Sequence, residues 1–168
     1  MKRKFFFGLA LLLCTLITAA QTITILKQSA TNPTGFVLLK PTGYDPSNTY
    51  TLWVFLHGVG GRGPGTDSSL YNLAYGLPNG TGGRYDPELP KELQLACQQQ
   101  GFVLLAPQTA GDWGTAEVDN MVAWAKSNLA INWSTNRNVI TGLSLGGGGT
   151  WRYISSSVAR ANNFATAI

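Results

Sequence analysis

A glycine-rich segment at residues 142–146 (GLSLG) constrains the fold of this chain more than any other part of its sequence. The four preceding residues have the character of a short buried strand, and the following Trp151, Ile154 and Val158 recur at helical spacing. A serine between two glycines at a strand-to-helix turn matches the nucleophile-elbow pattern G-x-S-x-G. The segment is either such an elbow, with Ser144 at its tip, or a glycine-rich connection that happens to contain a serine.

The chemistry of an elbow explains this glycine spacing. The serine must occupy a strained turn of left-handed backbone so that its hydroxyl projects above the sheet, and glycines two positions before and after it let strand and helix pass close beneath. The following helix presents unpaired backbone N–H groups at its N-terminus, towards the place where an oxyanion would form. An elbow therefore combines a nucleophile with an oxyanion donor.

A second segment strengthens the interpretation of the first as an elbow. Residues 51–56 (TLWVFL) form a continuous apolar run, which is typical of a strand buried on both faces. The run ends in His57, Gly58, Val59, Gly60 and Gly61. A His-Gly-rich loop after the third strand supplies the other half of the oxyanion hole in alpha/beta-hydrolases.

Four segments occur in the order found in that superfamily: residues 44–46 (YDP), the strand leading into His57-Gly58, residues 102–107 and residues 142–149. On these motifs the chain resembles a secreted esterase of the alpha/beta-hydrolase superfamily. The resemblance is to the branch that holds feruloyl and acetyl-xylan esterases, polyhydroxyalkanoate depolymerases and prolyl-oligopeptidase-like hydrolases. It covers residues 35–168.

The resemblance implies an α/β fold, with a mostly parallel sheet, helices on both faces and the strand order 1-2-4-3-5, the second strand being antiparallel. It implies that Ser144 is the nucleophile. It also implies that the backbone N–H groups of Leu145 and of Val59 or Gly60 form the oxyanion hole. No metal and no organic cofactor is implied.

The triad acid and histidine are missing from this sequence. In the superfamily they follow the nucleophile, but no residue after Ser144 is Asp, Glu or His. The one histidine, His57, and the adjacent Gly58 belong to the oxyanion-loop motif, in which the resemblance implies a structural role. The nearest acidic residues before the elbow are Asp112, Glu117 and Asp119.

The last eight residues, 161–168, resemble the start of the superfamily's sixth strand. We therefore expect the coding frame to continue beyond Ile168 and to supply the C-terminal third of the domain. That part should contain an acidic residue after one further strand and a histidine near its end. The 168-residue chain by itself is predicted to be inactive.

The distribution of charge argues against nucleic-acid binding. The formal net charge is +4, from twelve basic and eight acidic side chains, but three of the basic residues lie at positions 2–4. The rest of the chain is nearly balanced and has no basic stripe that could follow a phosphate backbone.

Residues 1–20 have the layout of a secretory signal peptide. Basic residues precede an apolar run at 5–19, and small residues lead up to Gln21, which predicts cleavage after Ala20. A membrane anchor is the alternative, but the apolar run is shorter than the ~20 residues of a spanning helix. We expect a secreted or periplasmic protein without stable membrane insertion, whose residues 21–168 form one partial domain.

Residues 58–63 (GVGGRG) also satisfy the dinucleotide pattern G-x-G-x-x-G. That motif has to open a helix, and Pro64-Gly65 would break one at once, so we interpret the match as a coincidence.

Cys97 is predicted to be a small buried side chain that fills space within a helix, and not a nucleophile.

The remaining elements are predicted from periodicity and turn signals. Strands are expected at 22–26, 35–39 and 102–106. A loop is expected at 71–85. This loop either borders the substrate cleft, with Tyr75 or Tyr85 stacking on the substrate, or is an irregular surface loop. Trp113 either lines a pocket or packs. Two helices are expected, one between Pro90 and Gly101 with Leu93, Ala96 and Cys97 buried, and one from Glu117 with Val118, Met121, Val122, Ala125 and Leu129 buried.

The sequence thus predicts a secreted serine hydrolase that cleaves small-molecule or polymer-linked carboxylic esters through an acyl-enzyme on Ser144. Two alternatives remain. One is a serine peptidase of the same fold, because elbow and oxyanion loop serve both reactions. The other is a non-catalytic secreted module that binds a glycan or polymer and keeps the elbow as scaffold.

Overall fold

The computed structural model describes residues 22–32 and 34–168, so the predicted signal peptide at 1–20 lies outside the described residues. The strands are β1 (Thr22–Leu26), β2 (Phe36–Lys40), β3 (Thr49–Tyr50), β4 (Leu52–Leu56), β5 (Val103–Pro107), β6 (Asn132–Trp133), β7 (Val139–Gly142) and β8 (Thr166–Ala167). The helices are α1 (Asp67–Tyr75), α2 (Lys91–Gln100), α3 (Thr115–Asn128), α4 (Leu145–Ser155) and α5 (Val158–Ala161), and a 3₁₀ turn covers Val59–Gly61.

The main sheet has the order β1-β2-β5-β4-β7-β8. Strand β2 is antiparallel to both of its neighbours, whereas β5, β4, β7 and β8 run parallel to one another. The short strands β3 and β6 pair separately. Numbered along the main sheet alone, this order begins 1-2-4-3-5 with an antiparallel second strand, so the predicted topology is confirmed.

The central strands are apolar on both sides because helices cover both faces of the sheet. Side chains alternate along a strand, so Val54 and Leu105 pack into one core, against α3 and α4. Phe55 and Leu104 point to the opposite face and pack into a second core with residues of α1 and α2. This double burial accounts for the continuous apolar runs of β4 and β5.

Both predicted helices are present, and five of the eight positions predicted to be buried are buried, whereas Leu93, Ala96 and Leu129 are half-buried against the cores. Cys97 of α2 is buried and Gly101 ends that helix with φ 73°. In α3 the buried residues are Val118, Met121, Val122 and Ala125.

The prediction of a loop over 71–85 is wrong for its first residues, because α1 extends to Tyr75. Thr66 caps this helix: its side chain accepts a hydrogen bond from the Ser69 backbone N–H, and the Ser69 hydroxyl oxygen accepts one from the Thr66 backbone N–H. Beyond the elbow, Trp151 and Val158 are 70% and 77% exposed, and α4 ends between them at Ser155. Their helical spacing therefore does not mark one buried face.

Cys97 is a free thiol enclosed between α2 and the sheet. Its Sγ lies 3.1 Å from the carbonyl oxygen of Phe102 and 3.6 Å from that of Leu39. Burial raises the pKa of Cys97 to about 12. The thiol is therefore protonated and packs as a small apolar side chain.

None of the helices in the described part of the chain has the length and apolar character that a membrane span requires.

Candidate active site

The two glycine-rich motifs meet at the carboxyl edge of the sheet. Strands β4 and β7 are parallel neighbours with Leu56 opposite Gly142, so the loops that follow them leave the sheet side by side. The backbone N–H of Leu143 donates to the carbonyl of Leu56 over 3.0 Å. We call residues 142–146 the elbow and residues 58–65 the glycine loop.

Ser144 lies at the tip of the elbow, immediately before α4, and its side chain is exposed. Its backbone angles are φ 52° and ψ −108°, and it is the one residue other than glycine with a positive φ in the described part of the chain. The φ is left-handed as expected, but the ψ lies far from the left-handed helical region. Such conformations cost about 1–3 kcal/mol and persist only where the surroundings impose them.

Glycine is required on both sides of this serine because two backbone segments touch there. A Cβ atom at Gly142 would overlap the carbonyl group of Gly146. A Cβ atom at Gly146 would overlap the carbonyl oxygen of Leu56, at the end of β4. The steric reason for the G-x-S-x-G spacing is thus present as backbone-to-backbone contact.

Leu145 is the first residue of α4, so its backbone N–H has no acceptor within the helix. The next N–H groups are partly used: Gly146 donates to Leu143 over 2.8 Å and Gly148 to Ser144 over 3.1 Å. Leu145 is the residue directly after Ser144, whose hydroxyl is exposed. The backbone N–H of Leu145 is well placed in sequence and in the helix to be one oxyanion donor.

His57 is fully buried, and backbone groups hold both of its ring nitrogens. Its Nε2 accepts a hydrogen bond from the N–H of Thr109 over 3.1 Å, which leaves the proton on Nδ1, 2.7 Å from the carbonyl oxygen of Gly58. Burial lowers the pKa of His57, against smaller opposing effects of the Gly58 hydrogen bond and the Glu88 charge. The imidazole is neutral and has no nitrogen left to act as a general base.

The other predicted oxyanion donors, Val59 and Gly60, lie in the 3₁₀ turn that opens the glycine loop. The Val59 side chain is 62% exposed. Beside this turn lies the Glu88 carboxylate, whose Oε2 accepts a hydrogen bond from the N–H of Gly58 over 3.2 Å. Its Oε1 is so close to Gly60 that a Cβ atom there would overlap it. Glu88 lies thirty residues beyond Gly58 in the chain, and no sequence motif pointed to it.

A cavity of about 260 Å³ opens beside the glycine loop, lined among others by Gly60, Leu77, Tyr85 and Glu88. Ser144 is not among its lining residues. Of the two tyrosines proposed to stack in a cleft, Tyr85 borders this cavity. Tyr75 instead packs on the ring of Tyr71, with ring centroids 4.5 Å apart.

Trp113 supports the site from beneath. It is 2% exposed, its indole N–H donates to the carbonyl of His57 over 3.0 Å, and its ring centroid lies 4.8 Å from that of His57. A Cβ atom at Gly149 of α4 would press on the Trp113 side chain. Trp113 therefore packs α4 against the start of the glycine loop.

Two of the three acids that precede the elbow, Asp119 and Asp112, have partners of their own. Asp119 accepts hydrogen bonds from Arg160, over 2.7 and 2.9 Å, and from the Tyr153 hydroxyl over 2.8 Å, and the Arg160 hydrogen bond is the main cause of its lowered pKa. Asp112 pairs with Arg62. Across the described ranges, no cluster of three His, Cys, Asp or Glu side chains could hold a metal ion.

No protein-family model matches this chain, and no curated protein sequence matches it. Solved structures do. A thermostable esterase is 27% identical with a TM-score of 0.58, and an acetyl xylan esterase from Aspergillus awamori is 19% identical with a TM-score of 0.55. A dipeptidyl peptidase 4 from Porphyromonas gingivalis is 19% identical with a TM-score of 0.53.

These matches cover 88%, 87% and 89% of this chain. In the other direction, the chain spans 40% of the thermostable esterase, 50% of the acetyl xylan esterase and 20% of the dipeptidyl peptidase. This chain therefore corresponds to only a part of each of these larger proteins.

Proposed function

From the alpha/beta-hydrolase fold that this chain has, we propose that the whole protein is a serine hydrolase that cleaves carboxylic esters through an acyl-enzyme on Ser144. The observation that carries the proposal is the backbone of Ser144. An exposed serine is held at positive φ, between two glycines whose Cβ atoms would overlap neighbouring backbone. Strained backbone of this kind persists where the surrounding fold imposes it, and it is typical of functional sites.

The proposed oxyanion hole consists of the N–H of Leu145 and the N–H of Val59 or Gly60. Support comes from the topology, which puts the first residue of α4 beside the loop that follows β4. One such donor is typically worth about 3 kcal/mol, or 100- to 1000-fold in rate. His57 and Gly58 have a structural part in this proposal, because the His57 ring holds the Gly58 carbonyl.

The triad acid and base are proposed to come from a part of the whole protein outside these 168 residues. His57 is the chain's one histidine, and both of its ring nitrogens are hydrogen-bonded to backbone. A serine hydroxyl is a weak nucleophile without a base to remove its proton. The 168-residue chain alone would therefore keep oxyanion donors but lack an activated nucleophile.

One observation favours an ester substrate. The structural match with the highest identity among those described above is an esterase. A serine peptidase is the second candidate, favoured by the match to a dipeptidyl peptidase. Initial rates of the whole protein on aryl acyl esters and on peptide anilides would separate the two.

Export from the cytoplasm is part of the proposal, on the basis of the sequence of residues 1–20. Mass spectrometry of the exported protein should find Gln21 at the N-terminus. An intact Met1 in a membrane-bound product would contradict it and would indicate an anchor.

The nucleophile can be tested with a fluorophosphonate probe. We expect the whole protein to be labelled at Ser144 alone, and Ser144→Ala to abolish labelling and ester turnover while changing the free energy of unfolding by less than about 0.5 kcal/mol. The 168-residue chain should react far more slowly, because oxyanion donors and binding leave only roughly 1000-fold over water without the base.

A matched control is Ser155→Ala, since Ser155 is an exposed serine at the far end of α4, the helix that Ser144 precedes. This variant should be labelled like the wild type. A probe found on Ser155 or Ser68 would overturn the assignment of the elbow, and a whole protein that no probe labels would favour the non-catalytic module.

A further inference from the structure

Gln108 is a buried amide with no part in the functions considered so far. It follows directly after β5, and only 5% of its surface is exposed. A polar side chain this deeply buried needs hydrogen-bond partners to offset its lost hydration. The identity of those partners indicates what the residue does.

The Gln108 side chain uses its full hydrogen-bonding capacity. Its Nε2 donates to the carbonyl of Gly61 over 2.9 Å and to that of Ser69 over 3.2 Å. Its Oε1 accepts from the N–H of Gly65 over 3.1 Å and from the Ser69 hydroxyl over 2.6 Å. Two donors and two acceptors are all that an amide offers, so this side chain is completely satisfied.

These partners belong to the glycine loop and to the start of α1. Gly61 ends the 3₁₀ turn that contains the proposed oxyanion donors, and Gly65 ends the loop. Between them, Gly63 leaves no room for a side chain, because a Cβ atom there would lie 2.6 Å from the amide nitrogen of Gln108. The loop is therefore wrapped around this amide.

The next residue, Thr109, extends the same support. Its N–H donates to Nε2 of His57, just before the loop, and its carbonyl accepts from the N–H of Gly63 over 3.1 Å. The dipeptide after β5 thus holds the loop at its beginning and along its second half. This is possible because β4 and β5 are parallel neighbours whose carboxyl ends meet.

The loop needs such support because its own sequence gives it little rigidity. Five of the eight residues at 58–65 are glycine. Glycine loses more conformational freedom on ordering than any other residue. An oxyanion donor accelerates a reaction only if it is already in place, at 2.7–3.1 Å from the developing charge.

We propose that Gln108 is a positioning residue for the oxyanion hole, which sets the place of the Val59 and Gly60 N–H groups by holding Gly61 and Gly65. The proposal rests on the proposed function of the loop. Gln108 borders the cavity beside the glycine loop, but its amide is fully taken up by the loop and by α1. Its replacement should therefore lower kcat more than it changes the binding of the ground-state ester.

The test uses the whole protein with an aryl acetate ester. We expect Gln108→Asn, which withdraws the amide by one methylene, and Gln108→Glu, which removes both donors, to lower kcat about 10- to 100-fold, as a shift of about 1 Å in a catalytic group does. KM should change less than about 3-fold. The neutral Asn variant separates positioning from any repulsion between the carboxylate introduced by Gln108→Glu and the oxyanion.

Asn138→Asp is the matched control. Asn138 is also a buried amide, 2% exposed, whose Oδ1 accepts from the N–H of Leu52 at the opposite edge of the sheet. It should keep kcat within about 2-fold, because it cannot move the loop. If Asn138→Asp lowers kcat as much as the Gln108 variants do, or if folded Gln108 variants keep their kcat, the proposal is wrong.

A second measurement needs neither activity nor a variant. Hydrogen exchange of the wild-type chain should show the N–H of Gly65, which donates to the Gln108 side chain, exchanging at least 100-fold more slowly than in an unstructured peptide. Exchange at the peptide rate would overturn the proposal. Strong protection in a protein that turns over no ester would refute the proposed function and leave the anchoring by Gln108 intact.

Discussion

Residues 58–65 and residues 142–149 each contain five glycines in eight positions, and they lie side by side at one edge of the sheet. The second segment is held by contacts of its own backbone: Gly142 against Gly146, and Gly146 against the end of β4. The first is held from outside by the side chains of Glu88 and Gln108 and by the His57 ring.

The comparison shows two ways of fixing a glycine-rich segment. In the elbow the glycines are needed because a Cβ atom would overlap neighbouring backbone, so the geometry tolerates almost no change. In the glycine loop they let the backbone approach the side chains that hold it. Its geometry therefore depends on residues far away in the sequence, and substitutions there can adjust it in steps.

The largest effect is expected where the elbow is tightest. Gly146→Ala would drive a Cβ atom into the Leu56 carbonyl oxygen, and neither backbone can move without displacing β4 or α4. Overpacking usually costs 1–3 kcal/mol, and we expect more than about 3 kcal/mol here because the opposing atom is backbone. Urea unfolding of the whole protein measures this loss.

Gly148→Ala is the control for that variant. It lies two residues further along the same helix, and a Cβ atom there would meet nothing within 4 Å. It should stabilise the protein by about 0.5–1 kcal/mol through its higher helix propensity. If both variants behave alike, the elbow is not fixed by backbone contact and the comparison fails.

The second prediction concerns the glycine loop and pH. Burial lowers the pKa of His57 in the folded protein. Below pH 6.5 the unfolded chain therefore binds a proton on this side chain that the folded chain does not bind. Stability should be constant above that pH and should fall by about 1.4 kcal/mol per pH unit below it, down to the folded-state pKa.

The measurement is the free energy of unfolding between pH 7.5 and 5.5 for the wild type and His57→Gln. With no second histidine in the sequence, the slope should disappear in the variant, which should also be less stable at pH 7.5. A slope that persists in His57→Gln would assign it to another group. It would also remove the evidence that the ring is a neutral support of the loop.

The elbow was predictable from sequence because its serine and both of its glycines lie within five residues. Their spacing is the steric requirement itself. The sheet order came from the family resemblance that four motifs carry and not from the sequence pattern itself, whereas double burial made β4 and β5 recognisable directly as apolar runs. Strand ends differ from the predictions by one residue, as for β2 and β5.

The supports of the glycine loop could not be found in this way. Glu88 and Gln108 reach Gly58 and Gly61 across thirty and forty-seven positions of sequence, and only the folded sheet brings them there. One signal was available: Gln108 is a polar residue immediately after a buried strand, at the edge where the elbow was expected. The start of α1 also had a signal, the Thr66-Asp67 cap, which the nearby glycines and tyrosines obscured.

The smallest expected effect concerns the strain at Ser144. Ser144→Gly can adopt φ 52° without a Cβ penalty, whereas Ser144→Ala keeps the Cβ atom and the strain. After allowing for the greater freedom of glycine in the unfolded chain, we expect a net gain of about 1 kcal/mol for Ser144→Gly and almost none for Ser144→Ala. Thermal unfolding of the two variants would show the difference, and equal melting temperatures would mean that the elbow stores no strain.

The reactivity of the enclosed Cys97 thiol can report how often α2 separates from the sheet. The thiol is sealed between α2 and the sheet, and it stays protonated at neutral pH because burial raises its pKa to about 12. A disulfide reagent can reach it only when α2 separates from the strands beneath it. The rate of thiol modification under native conditions therefore counts those separations, at a place remote from the elbow and without an introduced label.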